Sequence, residues 1–352
     1  MSLYDNIRRV TPYVPGEQPA GEVIKLNTNE CPYAPSPRVA AAIAACSTDR
    51  LRLYPEPDCH TLKEALAAHY ETDASEVFVG VGSDDVLALA FLTFFAGKKP
   101  VLFPDITYSF YDVWAELYNI PYETVPLADD FTLRPEDYAR ENGGIIFANP
   151  NAPTGIALPL TGVEEILSSN PDSVVIVDEA YVDFGAATAL PLLKKYENLV
   201  VVRTMSKSRA LAGMRIGYAF ASPRLIRAME DVKASINSYT MTTLSLAAGK
   251  AAIEDTAYFE ETLAKIIKTR EETKAALRRL GFTVTESRTN FLFAKKPGVS
   301  AQKLFEALRE RGIYVRYFNK PRIDEYLRIT IGTDEEMTRL LEELKCLCIK
   351  LR

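Results

Sequence analysis

The sequence predicts an α/β protein: a mostly parallel sheet between helices, followed by a smaller α+β unit. Short β-rich runs alternate with helical patterns between about residues 60 and 222, and several of these runs are apolar almost without a break. After residue 222 long helical stretches with a few strands replace the alternation. Strands buried on both faces must be apolar throughout, and alternating strands and helices imply parallel crossovers.

In chain order, the first fifty residues are Pro-rich and loop-like (ECPYAPSP among them) and are expected to drape over both units. Six runs then read as strands: VFVGVG (77–82), PVLFPD (100–105), GIIFANP (144–150), SVVIVDEAY (173–181), LVVVRTM (199–205) and RIGYAFA (215–221). Helical patterns such as DDVLALAFLTFFAG (84–97) separate them. From about 223 to 280, periodic Leu, Ile and Ala among charges predict one long, weakly interrupted helical stretch. NFLFAKK (290–296), GIYVRYF (312–318) and YLRITIG (326–332) read as strands, with helices at AQKLFEALRERG (301–312) and over the C-terminal DEEMTRLLEELKCLCIKLR. The expected division is 1–50 as an arm with part of the small domain, 51–240 as the large domain, and 241–352 as connecting helix and small domain.

Composition narrows the function. With a net charge of −6 and no basic stripe, nucleic acid is not expected as a partner. No run of 18 apolar residues occurs and the N-terminal MSLYDNIRRVTPYVPGEQP has no apolar signal segment, so no membrane partner and a cytoplasmic location are expected. Five cysteines form no even framework, and His60 and His69 have no i, i+4 spacing, so reduced thiols and no metal are expected.

Candidate chemistry starts in TMSKSRALAGMRIGY (204–218). Lys207 falls in a turn after a buried strand, where open α/β sheets place their ligands, with Arg215 eight residues on and Gly213 and Gly217 allowing close backbone approach. A desolvated lysine beside an arginine can be found neutral and condense with an aldehyde. A lone lysine there would be an ordinary loop residue, so its partners decide. Asp178 ends an apolar run, where a buried carboxylate needs pairing; a pyridinium nitrogen would supply it, and a helix-capping role is the alternative. Tyr181, three residues on, could bond the ring's phenolic oxygen. In VGVGSDDVL (79–87) the strand breaks at Gly80 and Gly82, and Ser83 sits at the start of a helix, as anion site or N-cap. Phosphate contact is expected from the backbone of Ser83 and Asp84, because the carboxylates of Asp84 and Asp85 would compete with it. NPNAPTG (149–155) is a further strand-end loop with two prolines.

GSDD, NPNAPTG, VDEAY and SKSRALAGMRIGY, in this order, resemble class I/II aminotransferases, and most of all the histidinol-phosphate aminotransferase family. The resemblance covers nearly the whole chain. It implies a fold-type I PLP-dependent transferase whose large domain has a mostly parallel seven-stranded sheet, with pyridoxal 5′-phosphate (PLP) as cofactor. Lys207 would be the Schiff-base lysine and proton shuttle, Asp178 the partner of the pyridine nitrogen and Tyr181 that of the phenolic oxygen. Ser206 and Arg215, with Thr204 and the backbone of Ser83 and Asp84, would bind the phosphate, and Tyr108 would stack on the ring. Tyr54 matches a tyrosine that reaches the partner subunit's cofactor, which implies a homodimer with shared sites. Where much of the class has Asn directly before Pro-Thr-Gly, this chain has Ala152; Asn151, one position earlier, is the candidate to take that role, and Tyr181 acting alone is the alternative.

For the substrate, the resemblance implies that Arg328, helped by Asn29, binds a carboxylate and that Arg316 grips the substrate phosphate. Tyr13 would reach the same group across the dimer. The substrates would then be the amino donor L-histidinol phosphate and the 2-oxo acid 2-oxoglutarate. An aromatic amino-acid aminotransferase and a lyase resembling threonine-phosphate decarboxylase are the competing readings. The sensor half of a transcription regulator would need a basic domain that residues 1–50 do not offer.

Overall fold

A computed structural model describes residues 2–351. In chain order the elements are β1 (Ile24–Lys25), α1 (Pro37–Ala44), α2 (His60–Tyr70), β2 (Val77–Gly80), α3 (Ser83–Phe94), β3 (Val101–Pro104), α4 (Tyr111–Tyr118), β4 (Tyr122–Val125), β5 (Gly144–Ala148), α5 (Leu160–Ser169), β6 (Val175–Asp178), β7 (Leu199–Thr204) and β8 (Gly217–Ala221). There follow α6 (Pro223–Ile236), α7 (Thr243–Glu254), α8 (Thr256–Arg279), β9 (Thr283–Val284), β10 (Phe291–Lys295), α9 (Ala301–Glu310), β11 (Ile313–Tyr314), β12 (Arg316–Tyr317), β13 (Leu327–Thr330) and α10 (Asp334–Lys350). Short 3₁₀ turns fill several connections.

The large sheet has seven strands in the order β2-β8-β7-β6-β5-β3-β4. Every pairing is parallel except the two made by β8. The apolar runs expected as strands form it, and β5, β6 and β7 are buried along their whole length. One strand, β4, has no counterpart in the sequence reading. It lies at the sheet edge with its first three residues partly or fully exposed, so YETV lacks the apolar run of a central strand.

Two apolar layers cover the sheet. Residues such as Val177, Val201 and Phe220 pack with α1, α2, α5 and α7, and Ile176, Val200 and Ala219 pack with α3, α4 and α6. A separate core joins β10 and β13 to α8, α9 and α10 around Leu292, Ile329 and Leu340. Its sheet runs β12-β13-β10-β9. The N-terminal segment is tied in by β1, which pairs in parallel with β11.

Two further expectations change. The stretch 223–280 is three helices, broken at 237–242 and at Asp255, which caps α8 through its carboxylate. The run 312–318 is two short strands in different sheets, β11 pairing with β1 and β12 with β13.

Strand direction places the site. β3 and β4 extend the sheet one way and β5, β6 and β7 the other, so the switch point lies between β3 and β5. Ligands of open α/β sheets bind outside the carboxyl ends of the strands at such a point. Since β8 runs opposite to its neighbours, its beginning reaches the same edge as the ends of β2 and β7. The sequence motifs all come from these strand ends.

Candidate active site

One cavity at this edge is lined by Lys207, Asp178, Tyr181, Tyr108, Ser83 and Arg215, with Thr204 and Ser206. With Asp84, which lines it too, the fold has therefore brought together nine residues expected to act on one cofactor. Lys207 Nζ donates to the Thr28 carbonyl at 3.2 Å and lies 5.9 Å from the centre of the Tyr181 ring. Thr28 and Glu30 also line the cavity, and neither was expected. Thr28 acts through its backbone, which leaves no mark in side-chain chemistry.

Asp178 is 4% exposed and enters no salt bridge among the described residues. Its Oδ2 accepts from Tyr111 Oη at 3.0 Å and its Oδ1 from the Ala180 amide at 3.1 Å. Burial nevertheless pushes its carboxyl up to about 6. A buried acid with satisfied hydrogen bonds but no countercharge suits a cationic partner. Tyr111 was not foreseen; it opens α4 and is fully buried, and burial together with the Asp178 charge drives its hydroxyl well above its usual range. A buried tyrosine hydroxyl must find a partner, and that requirement is the signal that could have singled it out in PDITYSFY.

The phosphate end is built by close backbone approach. Gly82, with φ +85°, is the N-cap of α3, so Ser83 is the first helical residue and not the cap. A Cβ at Gly217 would meet the Gly82 carbonyl carbon at 2.2 Å and the Ser83 nitrogen at 2.4 Å. Gly213 has open space around it, so it has no such role. Thr204 Oγ1 donates to Ser206 Oγ at 3.0 Å and accepts from the Ser206 amide at 3.1 Å. Asp84 accepts from Tyr108 Oη at 2.7 Å and from Arg215 Nη2 at 3.4 Å. Asp85 turns away to cap the Val81 amide at 2.8 Å. The helix N-terminus, an arginine and two hydroxyls thus converge at one end of the cavity.

Asn151 does not serve this cavity. Its Nδ2 donates to the Ile106 carbonyl at 2.9 Å and to Thr154 Oγ1 at 3.0 Å, while its Oδ1 accepts from Thr107 at 2.9 Å. It lines a neighbouring apolar pocket with Phe131 and Leu133, and Ala152 is the residue of this loop that lines the cavity with Lys207. The role proposed for Asn151 fails because its amide is consumed in holding its own loop. Asn29 sits behind Tyr181, 1% exposed, donating to Tyr181 Oη at 2.8 Å and accepting from Thr330 at 3.0 Å.

The two arginines expected to read substrate face each other: Arg316 on β12 pairs with Arg328 on β13. Arg328 Nη2 donates to the Asn27 carbonyl at 2.9 Å, and its buried Nε has no hydrogen-bond partner among the described residues. Burial lowers its pKa, opposed by the Tyr181 hydroxyl and reinforced by Arg316. Arg316 donates to the Val14 carbonyl at 3.3 Å. Like charges opposed across a ladder repel, and a shared anion removes that cost. Tyr13 stacks on Phe110 with ring centres 4.2 Å apart and lines a groove with Arg316 of its own chain. Within the single chain the N-terminal arm lies over this groove, Tyr13 lining it together with Arg316. Tyr54 lies outside the cavity, 81% exposed and stacked on Tyr239 at 4.5 Å.

The seven-stranded sheet and the lysine–aspartate cavity at its carboxyl edge define a transferase of the fold-type I, PLP-dependent class. The chain belongs to the class I and II aminotransferase family, whose model matches residues 21–344. It is 55% identical over 347 residues to a histidinol-phosphate aminotransferase of Marinomonas sp., covering 97% of this chain and 98% of that one. It is also 52% identical over 346 residues to a histidinol-phosphate aminotransferase of Lactococcus lactis subsp. cremoris, covering 98% and 97%. Among solved structures, histidinol-phosphate aminotransferase from Sinorhizobium meliloti in complex with pyridoxal-5′-phosphate superposes with a TM-score of 0.85 at 26% identity, covering 94% of this chain and 92% of that one.

Proposed function

We propose that the protein transfers the amino group of L-histidinol phosphate to 2-oxoglutarate, giving imidazole acetol phosphate and L-glutamate, with PLP as cofactor. The observation that carries this is the Arg316–Arg328 pair beside the lysine cavity. Two opposed guanidiniums, one with a buried Nε unpaired among the described residues, can hold a phosphate in one half-reaction and a carboxylate in the other, since the arginine fork suits both. The names of the relatives support the same substrate.

The residues present fit the cofactor. Asp178 lacks a countercharge, and the Gly82–Ser83 turn, Thr204, Ser206 and Arg215 offer an anion cradle. When bound, PLP supplies an aldehyde for an amine and an electron-poor ring that takes up charge from the amine-bearing carbon. Asp178 would keep the ring nitrogen protonated, and Tyr181, fixed by Asn29, would donate to the ring oxygen. Tyr108 would cover one face, its hydroxyl anchored on Asp84. Lys207 Nζ would hold the cofactor and, once displaced by the substrate amine, move the proton taken from the amine-bearing carbon.

With 2-oxoglutarate as acceptor, kcat/KM for histidinol phosphate is expected to exceed that for phenylalanine at least ~tenfold. A preference for phenylalanine of that size would assign an aromatic aminotransferase instead, and CO₂ released from threonine phosphate without an acceptor would assign a lyase.

We further propose a homodimer. Leu51, Leu53, Tyr54, Ile236 and Tyr239 are exposed apolar side chains, and exposed apolar patches mark association surfaces. Sedimentation equilibrium reads this directly, and a monomer would refute it. No described helix is long and apolar enough to cross a membrane, and a cytoplasmic location is the reading we adopt. The division near residues 50 and 240 is likewise our proposal, with α7 as the connection lying against the larger core.

A further inference from the structure

Four polar residues interleave with the cofactor contacts in sequence yet do not line the cavity. Glu179 follows Asp178, Asp183 follows Tyr181 by two positions, Arg203 precedes Thr204, and Ser208 follows Lys207. Side chains alternate along a strand, so Asp178 and Glu179 leave opposite faces of the sheet. Away from the cavity these four form one continuous strap. Arg203, 5% exposed, donates from Nε to Glu179 Oε2 at 3.0 Å, and its Nη2 lies 2.9 Å from the same oxygen. Its Nη1 reaches Tyr70 Oη at 3.1 Å and Asp183 Oδ1 at 3.4 Å. The other oxygen, Asp183 Oδ2, accepts from Ser208 Oγ at 2.5 Å. Glu179 is completed by the Ala189 amide at 2.5 Å and Thr188 at 2.8 Å.

The strap therefore runs from the end of β6, through the 3₁₀ turn Val182–Phe184 that follows Tyr181, to the turn that carries Lys207. The lysine's own hydrogen bond is a 3.2 Å contact to the Thr28 carbonyl, so the path of its backbone decides where Nζ lies. Ser208, its immediate neighbour, makes a short bond to a carboxylate, and bonds to ionised groups are the stronger kind.

Resting on the transaminase reading above, we propose that Asp183, held by Arg203, fixes the position of Lys207 through Ser208. Ser208, Asp183 and Arg203 are positioning residues: they touch neither cofactor nor substrate and act through the turn. A misplacement of about 1 Å at a reacting group costs on the order of 10²-fold in rate, so a loosened turn is visible in turnover even when the fold is intact. A buried ion pair that served folding alone would show its loss in stability instead.

The test uses the cofactor-loaded enzyme and spares Arg203, whose loss would leave Glu179 buried and unpaired. Ser208→Ala is expected to lower kcat about tenfold with both KM values within about threefold. It should also weaken the visible circular-dichroism band of the bound cofactor, which reads its orientation, and shift the melting temperature by no more than about 2 °C. Ser208→Thr keeps the hydroxyl and should restore both kcat and the band. Asp183→Asn should reproduce the loss, and the double variant Ser208→Ala/Asp183→Asn should add little, because the two share one path. Unchanged kcat and dichroism in Ser208→Ala, or a loss that Ser208→Thr does not restore, would overturn the proposal. If the wild type does not turn over histidinol phosphate, the functional reading fails separately, and the dichroism band still reports on the placement of Lys207.

Discussion

At the sheet edge the cradle assigned to the cofactor's phosphate is mostly backbone: a glycine turn, the first amides of α3 and two short hydroxyls, with Arg215 beside them. On the smaller sheet, the end assigned to the substrate anion consists of two long arginines opposed across a ladder, one with a buried nitrogen that has no hydrogen-bond partner among the described residues. The first is rigid, since a Cβ at Gly217 would strike the facing backbone. The second sets two like charges in register, a repulsion that an anion between them relieves. A cofactor that stays through every cycle suits fixed amides, and substrates that alternate between phosphate and carboxylate suit side chains that can re-aim. Amides set by a fold cost little to organise, whereas arginines lose rotamer freedom each time they bind.

Perturbing each end should separate these roles. Asp178→Asn is expected to have the largest effect, lowering turnover ~10³-fold because the ring nitrogen loses its carboxylate. It should also change stability in the cofactor-free protein. The folded carboxyl is held at about 6 against an ordinary 3.8, so the folded chain binds that proton more tightly than the unfolded chain. Stability should therefore fall as pH rises from about 4 to about 6, by about 3 kcal/mol from this group, and stay lower above it. Denaturant curves across that range for wild type and Asp178→Asn check the sign, and Asn should flatten that part of the profile.

Arg316→Ala comes next. We expect kcat/KM for histidinol phosphate to fall ~10²-fold and that for phenylalanine to change less than about threefold. Equal losses on both substrates would mean that Arg316 does not read the phosphate, and the contrast between the two ends would collapse. Arg215→Gln should do least, weakening cofactor binding about tenfold, since the amides and hydroxyls remain. Cofactor titration by fluorescence measures it, and a loss of several hundredfold would show that the cradle depends on the arginine.

The two regions also differed in how well they could be read from the sequence. Lys207, Asp178, Tyr181 and Arg215 are legible because each stands at or within three residues of an end of an apolar strand, where a polar residue needs a reason. The edge strand β4 is not, because YETV has neither a continuous apolar run nor clean alternation. Nor is β9, a strand of only two residues separated by three residues from the end of α8. Asn151 misled because its amide type is right while its hydrogen bonds point into its own loop. Tyr111 stands in a cluster of aromatics that reads as core, and only the fold reveals that its hydroxyl ends on Asp178.

If Lys207 carries the cofactor, borohydride reduction of the loaded protein followed by peptide mapping will fix the label at position 207 alone, and Lys207→Ala will take none. Label on another lysine, or a protein that stays colourless and takes up no cofactor, would contradict this.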